Sequence, residues 1–146
     1  MARILVVDDD PSIRELTRTI LSIEGHEITE AANGRQALDL IGMPNGGPDL
    51  IVLDLAMPEM DGWHFLEELY VRGLRRSVRV VIVSANLDNS RHENARTLPK
   101  PFEPGALVTL VSEALMQDPA EMYERRERSA ELARLLARVD RVVGTP

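Results

Sequence analysis

The chain has 146 residues, 44% hydrophobic and 28% charged, with a formal net charge of −7 and no cysteine. That length suits one domain with an extension and a substantial core; the missing cysteines exclude disulfides, and the acidic balance excludes the basic footprint of a nucleic-acid binder. No apolar run approaches the ~20 residues of a membrane-spanning helix, and because a strand begins within three residues, leaving no room for a signal peptide, a cytoplasmic protein is expected.

Arg3-Ile4-Leu5-Val6-Val7 is a short apolar run that ends in Asp8-Asp9-Asp10. Asp10-Pro11, or Ser12 with Glu15 as a capping box, opens a helix carrying Ile13, Leu16, Ile20 and Ile23 at helical spacing, and Gly25 closes it. His26 to Ala31 alternates weakly and reads as an edge strand. Asn33-Gly34 marks a turn, Ala37, Leu38 and Ile41 give a short helix, and Gly42 to Pro48 is a loop by composition. Leu50-Ile51-Val52-Leu53 is apolar at every position and too short for a helix, so it reads as a central parallel strand covered on both faces. Its continuation, Asp54, then emerges at the carboxyl edge of the sheet, where open α/β sheets place their ligands.

Gly62 to Arg72 carries Trp63, Leu66, Leu69 and Tyr70 at helical spacing. Val78 to Val83 is a further apolar strand, running into Ser84. Leu87 to Arg96 is polar and predicts one or two helical turns or irregular chain. Thr97-Leu98 is a minimal fifth strand, Pro99-Lys100-Pro101-Phe102 breaks the chain, and Glu103 to Met116 returns to helical periodicity. Asp118-Pro119 then opens a last helix running to Gly144. Within it Leu132, Leu136, Val139 and Val143 follow a 4-3-4 spacing over two heptads, so this helix either packs on its own domain or binds a partner. His26, His64 and His92 read as solvated residues.

Repeating βα units with right-handed crossovers imply a five-stranded parallel sheet in the order 2-1-3-4-5 with helices on both faces. In such a sheet the ends of the first, third and fourth strands converge, and three or four carboxylates, from Asp8-Asp9-Asp10 and Asp54, share one small pocket with the Ser84 hydroxyl, with Lys100 a candidate to join them. Like charges that close repel unless a cation neutralises them, and hard oxygen ligands suit Mg²⁺. Lys100 is the one lysine among 17 cationic side chains. Its compact ammonium suits contact with a single oxyanion better than a guanidinium fork does.

Asp8-Asp9, Asp54, Ser84-Ala85 and Lys100-Pro101-Phe102 together resemble the signature of response-regulator receiver domains of two-component signalling. Asp54 follows Asp9 by 45 residues, and Ser84 follows Asp54 by 30. The resemblance implies a flavodoxin-like receiver over residues 1–117 with a helical extension over 118–146. It implies that Asp54 accepts a phosphoryl group from a histidine kinase or phosphotransfer protein. Asp8, Asp9, Asp54 and the backbone carbonyl of Ala56 would hold Mg²⁺, while Lys100 and Ser84 contact the phosphoryl oxygens. It also implies a cis Lys100-Pro101 peptide, a signal passed on by protein contact to a downstream target or a second copy, and no enzymatic activity beyond self-catalysed phosphotransfer and dephosphorylation. The alternatives are a Mg²⁺-dependent phosphohydrolase resembling the haloacid-dehalogenase type, with Asp8 and Asp10 as its acid pair, and a receiver-fold interaction module independent of phosphate. Two departures from the family stand out: Thr97 occupies a position that is usually aromatic, and Lys100 follows Ser84 by only 16 positions.

Overall fold

The computed structural model describes residues 1–42, 47–57, 60–74, 77–85, 96–120, 128, 131–132 and 134–138. Five strands, β1 (Arg3–Val7), β2 (Glu27–Ala31), β3 (Leu50–Leu53), β4 (Arg79–Ser84) and β5 (Arg96–Pro99), form one sheet in the order β2-β1-β3-β4-β5. Every neighbouring pair is parallel. The expected topology is therefore the observed one. Among the described residues α1 (Pro11–Ile23), α2 (Gly34–Ile41) and α3 (Gly62–Val71) each connect one strand to the next, and α4 (Pro104–Leu115) follows β5.

Side chains along a strand alternate between its two faces, so the continuous apolar runs of β1, β3 and β4 feed two separate cores. Leu5, Val7, Ile51, Leu53, Val80 and Ile82 pack with Ala37 and Leu38 of α2 and Phe65 and Leu69 of α3. Ile4, Val6, Leu50, Val52, Val81 and Val83 pack with Leu21 of α1 and Leu107, Val111 and Ala114 of α4. The outer strands carry less apolar surface. In β2 only Ala31 is buried, and in β5 no residue is, as edge positions allow.

Two helix faces differ from the periodicity reading. In α1 the buried residues are Thr17 and Leu21, while Leu16 and Ile23 stay 45% and 77% exposed. A polar Thr17 on the inward face hid the stripe, which packing on the sheet and beside α4 selects. In α3 the fully buried aromatic is Phe65, and Tyr70 is 59% exposed. The helix turns Phe65 and Leu69, one turn apart, onto the sheet.

Helix starts follow the local chemistry. Asp10 rather than Ser12 caps α1, its Oδ1 accepting the N–H groups of Ser12 (2.9 Å) and Ile13 (3.4 Å). Asn33 caps α2 through the N–H of Gln36 (2.9 Å), and Asp61 caps α3 through that of His64 (2.9 Å). His64 is exposed as expected, whereas His26 is half-buried and its Nδ1 accepts the Ala2 N–H at 3.2 Å. His92, the polar stretch over 87–95 and the middle of the loop over 42–48 lie outside the described residues.

After α4 the chain turns at Met116 and Gln117, and Asp118 accepts the Ala120 N–H at 2.8 Å to begin the C-terminal helix. Pro119, Ala120, Arg128, Glu131, Leu132 and residues 134–138 are helical. Among the described residues, no helix is long and apolar enough to cross a membrane.

Candidate functional site

The sheet order brings the strand ends into one place. Asp8 lies one residue past β1 and Asp54 one past β3, and the Asp54 N–H extends the ladder by donating to the Val7 carbonyl at 2.9 Å. Ser84 is the last residue of β4, and its carbonyl accepts the Lys100 N–H at 3.0 Å, fixing Lys100 just past β5. The Lys100-Pro101 peptide is cis, as expected. All the side chains singled out for the pocket thus sit at the carboxyl edge. Asp8, Asp54 and Ser84 are only 4%, 5% and 1% exposed.

Carboxylate oxygens of Asp8, Asp9 and Asp54 lie within 4.8 Å of one another. Lys100 Nζ donates to Asp8 Oδ2 at 2.7 Å and sits 3.6 Å from Asp54 Oδ2. One ammonium therefore contacts two of the three clustered carboxylates. Burial is the main cause that raises the Asp54 carboxyl from 3.8 to about 6; the Asp8 charge adds to the rise, while Lys100 and the Ala56 N–H oppose it and Asp9 adds a little more. For Lys100, burial disfavours the ammonium, but the hydrogen bond and charge of Asp8, together with Asp54, outweigh it and raise its pKa above 10.5.

This negative excess on hard oxygen atoms fits Mg²⁺ in ligand chemistry and in charge. Ala56 enters the geometry through its N–H, which is hydrogen-bonded to the Asp54 carboxylate. Asp10 does not join the pocket as an acid: its carboxylate caps α1 while its N–H donates to Asp8 Oδ1 at 2.9 Å. An Asp8/Asp10 acid pair of the phosphohydrolase kind is therefore not assembled. Sequence reasoning missed Arg14, whose Nη1 donates to the Asp8 carbonyl at 2.7 Å while Nε lies 3.4 Å from Glu30 of β2. Its position one turn after the Asp10 cap was the available signal. The Lys100–Asp8 hydrogen bond was also not foreseen, because it depends on two residues 92 positions apart.

The loop that carries Asp54 into α3 depends on Gly62. A Cβ there would lie 2.7 Å from the Asp54 carbonyl oxygen and 2.8 Å from Leu55 Cα, both backbone atoms that cannot swing away. Gly62→Ala is expected to destabilise the fold by about 1–3 kcal/mol, the usual cost of overpacking. Urea denaturation checks this, and a variant with an unchanged midpoint contradicts it.

A family model described as the response regulator receiver domain matches residues 4–112. Sporulation initiation phosphotransferase F of Bacillus subtilis is 36% identical over 107 residues, covering 69% of this chain and 83% of that protein. Response regulator MprA of Mycolicibacterium vanbaalenii is 39% identical over 107 residues, covering 68% of this chain but 44% of that protein, so the chain spans under half the length of this relative. Among solved structures, response regulator TrrA of Thermotoga maritima in complex with Mg²⁺-BeF superimposes with a TM-score of 0.67 at 33% identity, over 78% of this chain and 99% of that one.

Proposed function

The chain belongs to the response regulator receiver family, and from that premise we propose that it accepts a phosphoryl group on Asp54 from a histidine kinase or phosphotransfer protein and signals by protein contact. Receiver domains are phosphorelay signal modules rather than classical enzymes, and they act with histidine kinases and phosphotransferases. The observation that carries the reading is Lys100 Nζ held between Asp8 and Asp54, 2.7 and 3.6 Å from their oxygens, with both carboxylates buried at the carboxyl edge of the sheet.

In the proposed reaction an Asp54 carboxylate oxygen attacks phosphorus, the O–P bond forms, and the P–N bond to the donor histidine breaks with its imidazole leaving. Charge on the moving group spreads over its equatorial oxygens, so positioned cations and donors do most of the stabilising. Lys100 exchanges Asp8 for one of those oxygens, and the Ser84 hydroxyl donates to another. Bound Mg²⁺, held by Asp8, Asp9, Asp54 and the Ala56 carbonyl, would neutralise the incoming phosphoryl group. Phosphotransfer and dephosphorylation are self-catalysed and are the chain's only chemistry. Its receiver spans residues 1–117 and its helical extension 118–146, it works in the cytoplasm, and the extension contacts a downstream protein or a second copy.

Incubation with acetyl phosphate and Mg²⁺, read by intact mass, tests the reading: one added phosphoryl group supports it, and an unchanged mass rejects it. The metal assignment has its own check. Asp9→Ala removes one hard ligand and is expected to weaken Mg²⁺ binding on the order of tenfold or more, by comparison with other metal-site losses. Trp63, on the first turn of α3 just beyond the Asp54 loop, reports the titration by fluorescence. An unchanged affinity removes Asp9 from the ligand set.

A further inference from the structure

We propose that Arg14 is a positioning residue that presets Asp8 and Asp9 for Mg²⁺ by fixing the peptide plane between them. This deepens the metal reading above and rests on it. Past Val7 the strand pairing of β1 ends, although the Asp8 N–H still reaches the Ala31 carbonyl at 3.1 Å. Asp8 is only 4% exposed, and a buried carbonyl beyond the ladder needs a partner. Arg14 Nη1 supplies it at 2.7 Å, as a charge-assisted bond.

Helix geometry makes the reach possible. Arg14 lies in the first turn of α1, its N–H donating to the Asp10 carbonyl at 2.9 Å, and helical side chains tilt back toward the N-terminus, here toward the Asp8–Asp10 loop. The guanidinium is itself anchored, with Nε 3.4 Å from Glu30 Oε1 and the side chain only 20% exposed. One planar fork thus ties α1, β2 and the acidic loop together.

The Asp8 carbonyl and the Asp9 N–H belong to one rigid peptide unit, so holding that oxygen also sets the direction in which the chain presents Asp9. Asp8 Oδ1 accepts the Asp10 N–H at 2.9 Å and Oδ2 accepts Lys100 Nζ at 2.7 Å, so every polar group of Asp8 is engaged. Asp9 is exposed and takes its orientation from this frame. Without Arg14 the buried carbonyl loses its partner and the peptide plane turns to find water.

The sign of the effect separates positioning from charge. Removing a cation beside a cation site would, by Coulomb's law alone, tighten Mg²⁺ binding. Loss of positioning weakens it. Calorimetric Mg²⁺ titration of Arg14→Met should therefore show an affinity lower by about tenfold or more, the usual effect of losing a group that orients metal ligands. Arg14→Lys guards against a variant that fails to fold: it keeps the charge, but one ammonium cannot hold both Glu30 and the Asp8 carbonyl, so a smaller loss is expected. Arg18, whose Nη1 lies 3.5 Å from Glu30 Oε2, is the control, and Arg18→Met should bind Mg²⁺ at least as tightly as wild type. In chelator, the Asp10 amide should exchange its hydrogen several-fold faster in Arg14→Met than in wild type or Arg18→Met. Unchanged or tighter Mg²⁺ binding by either Arg14 variant, or an equal loss in Arg18→Met, overturns the proposal. A wild type that takes up no Mg²⁺ removes the metal reading and this inference with it, whereas a wild type that binds beside an Arg14→Met protein that binds equally well removes the inference alone.

Discussion

Asp54→Asn protein is expected to gain no phosphoryl mass from acetyl phosphate and Mg²⁺ under conditions that label the wild type. The amide oxygen of asparagine is a poor nucleophile and carries no charge to share with a metal, so both the attacking group and part of the cation site are lost together. Neighbouring acids do not compensate. Asp8 is held by Lys100 at 2.7 Å and by the Asp10 N–H at 2.9 Å, and Asp9 is exposed, outside the Lys100 contact pair. Loss of labelling should therefore be complete rather than partial. Labelling of the Asp54→Asn protein at the wild-type level would move the acceptor elsewhere and dismantle the proposed mechanism.

The second large effect concerns stability without metal. Asp54 titrates at about 6 in the folded protein against 3.8 as its ordinary value, so the folded chain holds this proton more tightly than the unfolded one. Stability therefore falls as pH rises through the window from about 4 to about 6 and stays low above it. A two-unit shift corresponds to about 3 kcal/mol, of which we expect about 1–3 kcal/mol to be measurable. Urea denaturation in a chelator at pH 4, 5, 6 and 8 should show this decline in the wild type. Asp54→Asn should flatten that part of the profile and be the more stable protein at pH 8, and Mg²⁺ should restore the wild type. If the metal-free Asp54→Asn protein is instead less stable than wild type at pH 8, the Lys100–Asp54 attraction outweighs the burial cost.

The five strands, their order and the acids at their ends were legible in the chain itself. Apolar runs of four to six residues stop at Asp8, Asp54 and Ser84, and the caps and prolines at Asp10-Pro11, Asn33-Gly34 and Pro104 are set by neighbours a few positions away. These signals are local, because backbone sterics and capping hydrogen bonds act within one turn. The identity of the pocket residues followed once the strand order was known.

What the tertiary structure alone decided is everything that depends on contacts between distant segments. Packing of α1 on the sheet and beside α4 turned Thr17 and Leu21 inward and left Leu16 and Ile23 in solvent, against a pattern that hydrophobicity suggested. Phe65 rather than Tyr70 became the buried aromatic of α3. Arg14 reached the Asp8 carbonyl, and Lys100 took Asp8 as its nearer partner across 92 residues. The raised Asp54 carboxyl is of the same kind, since burial and the Asp8 charge exist only once β1 and β3 lie side by side. Residue types and short spacings determine which groups are available; desolvation and Coulomb energies depend on distances that the folded sheet alone establishes.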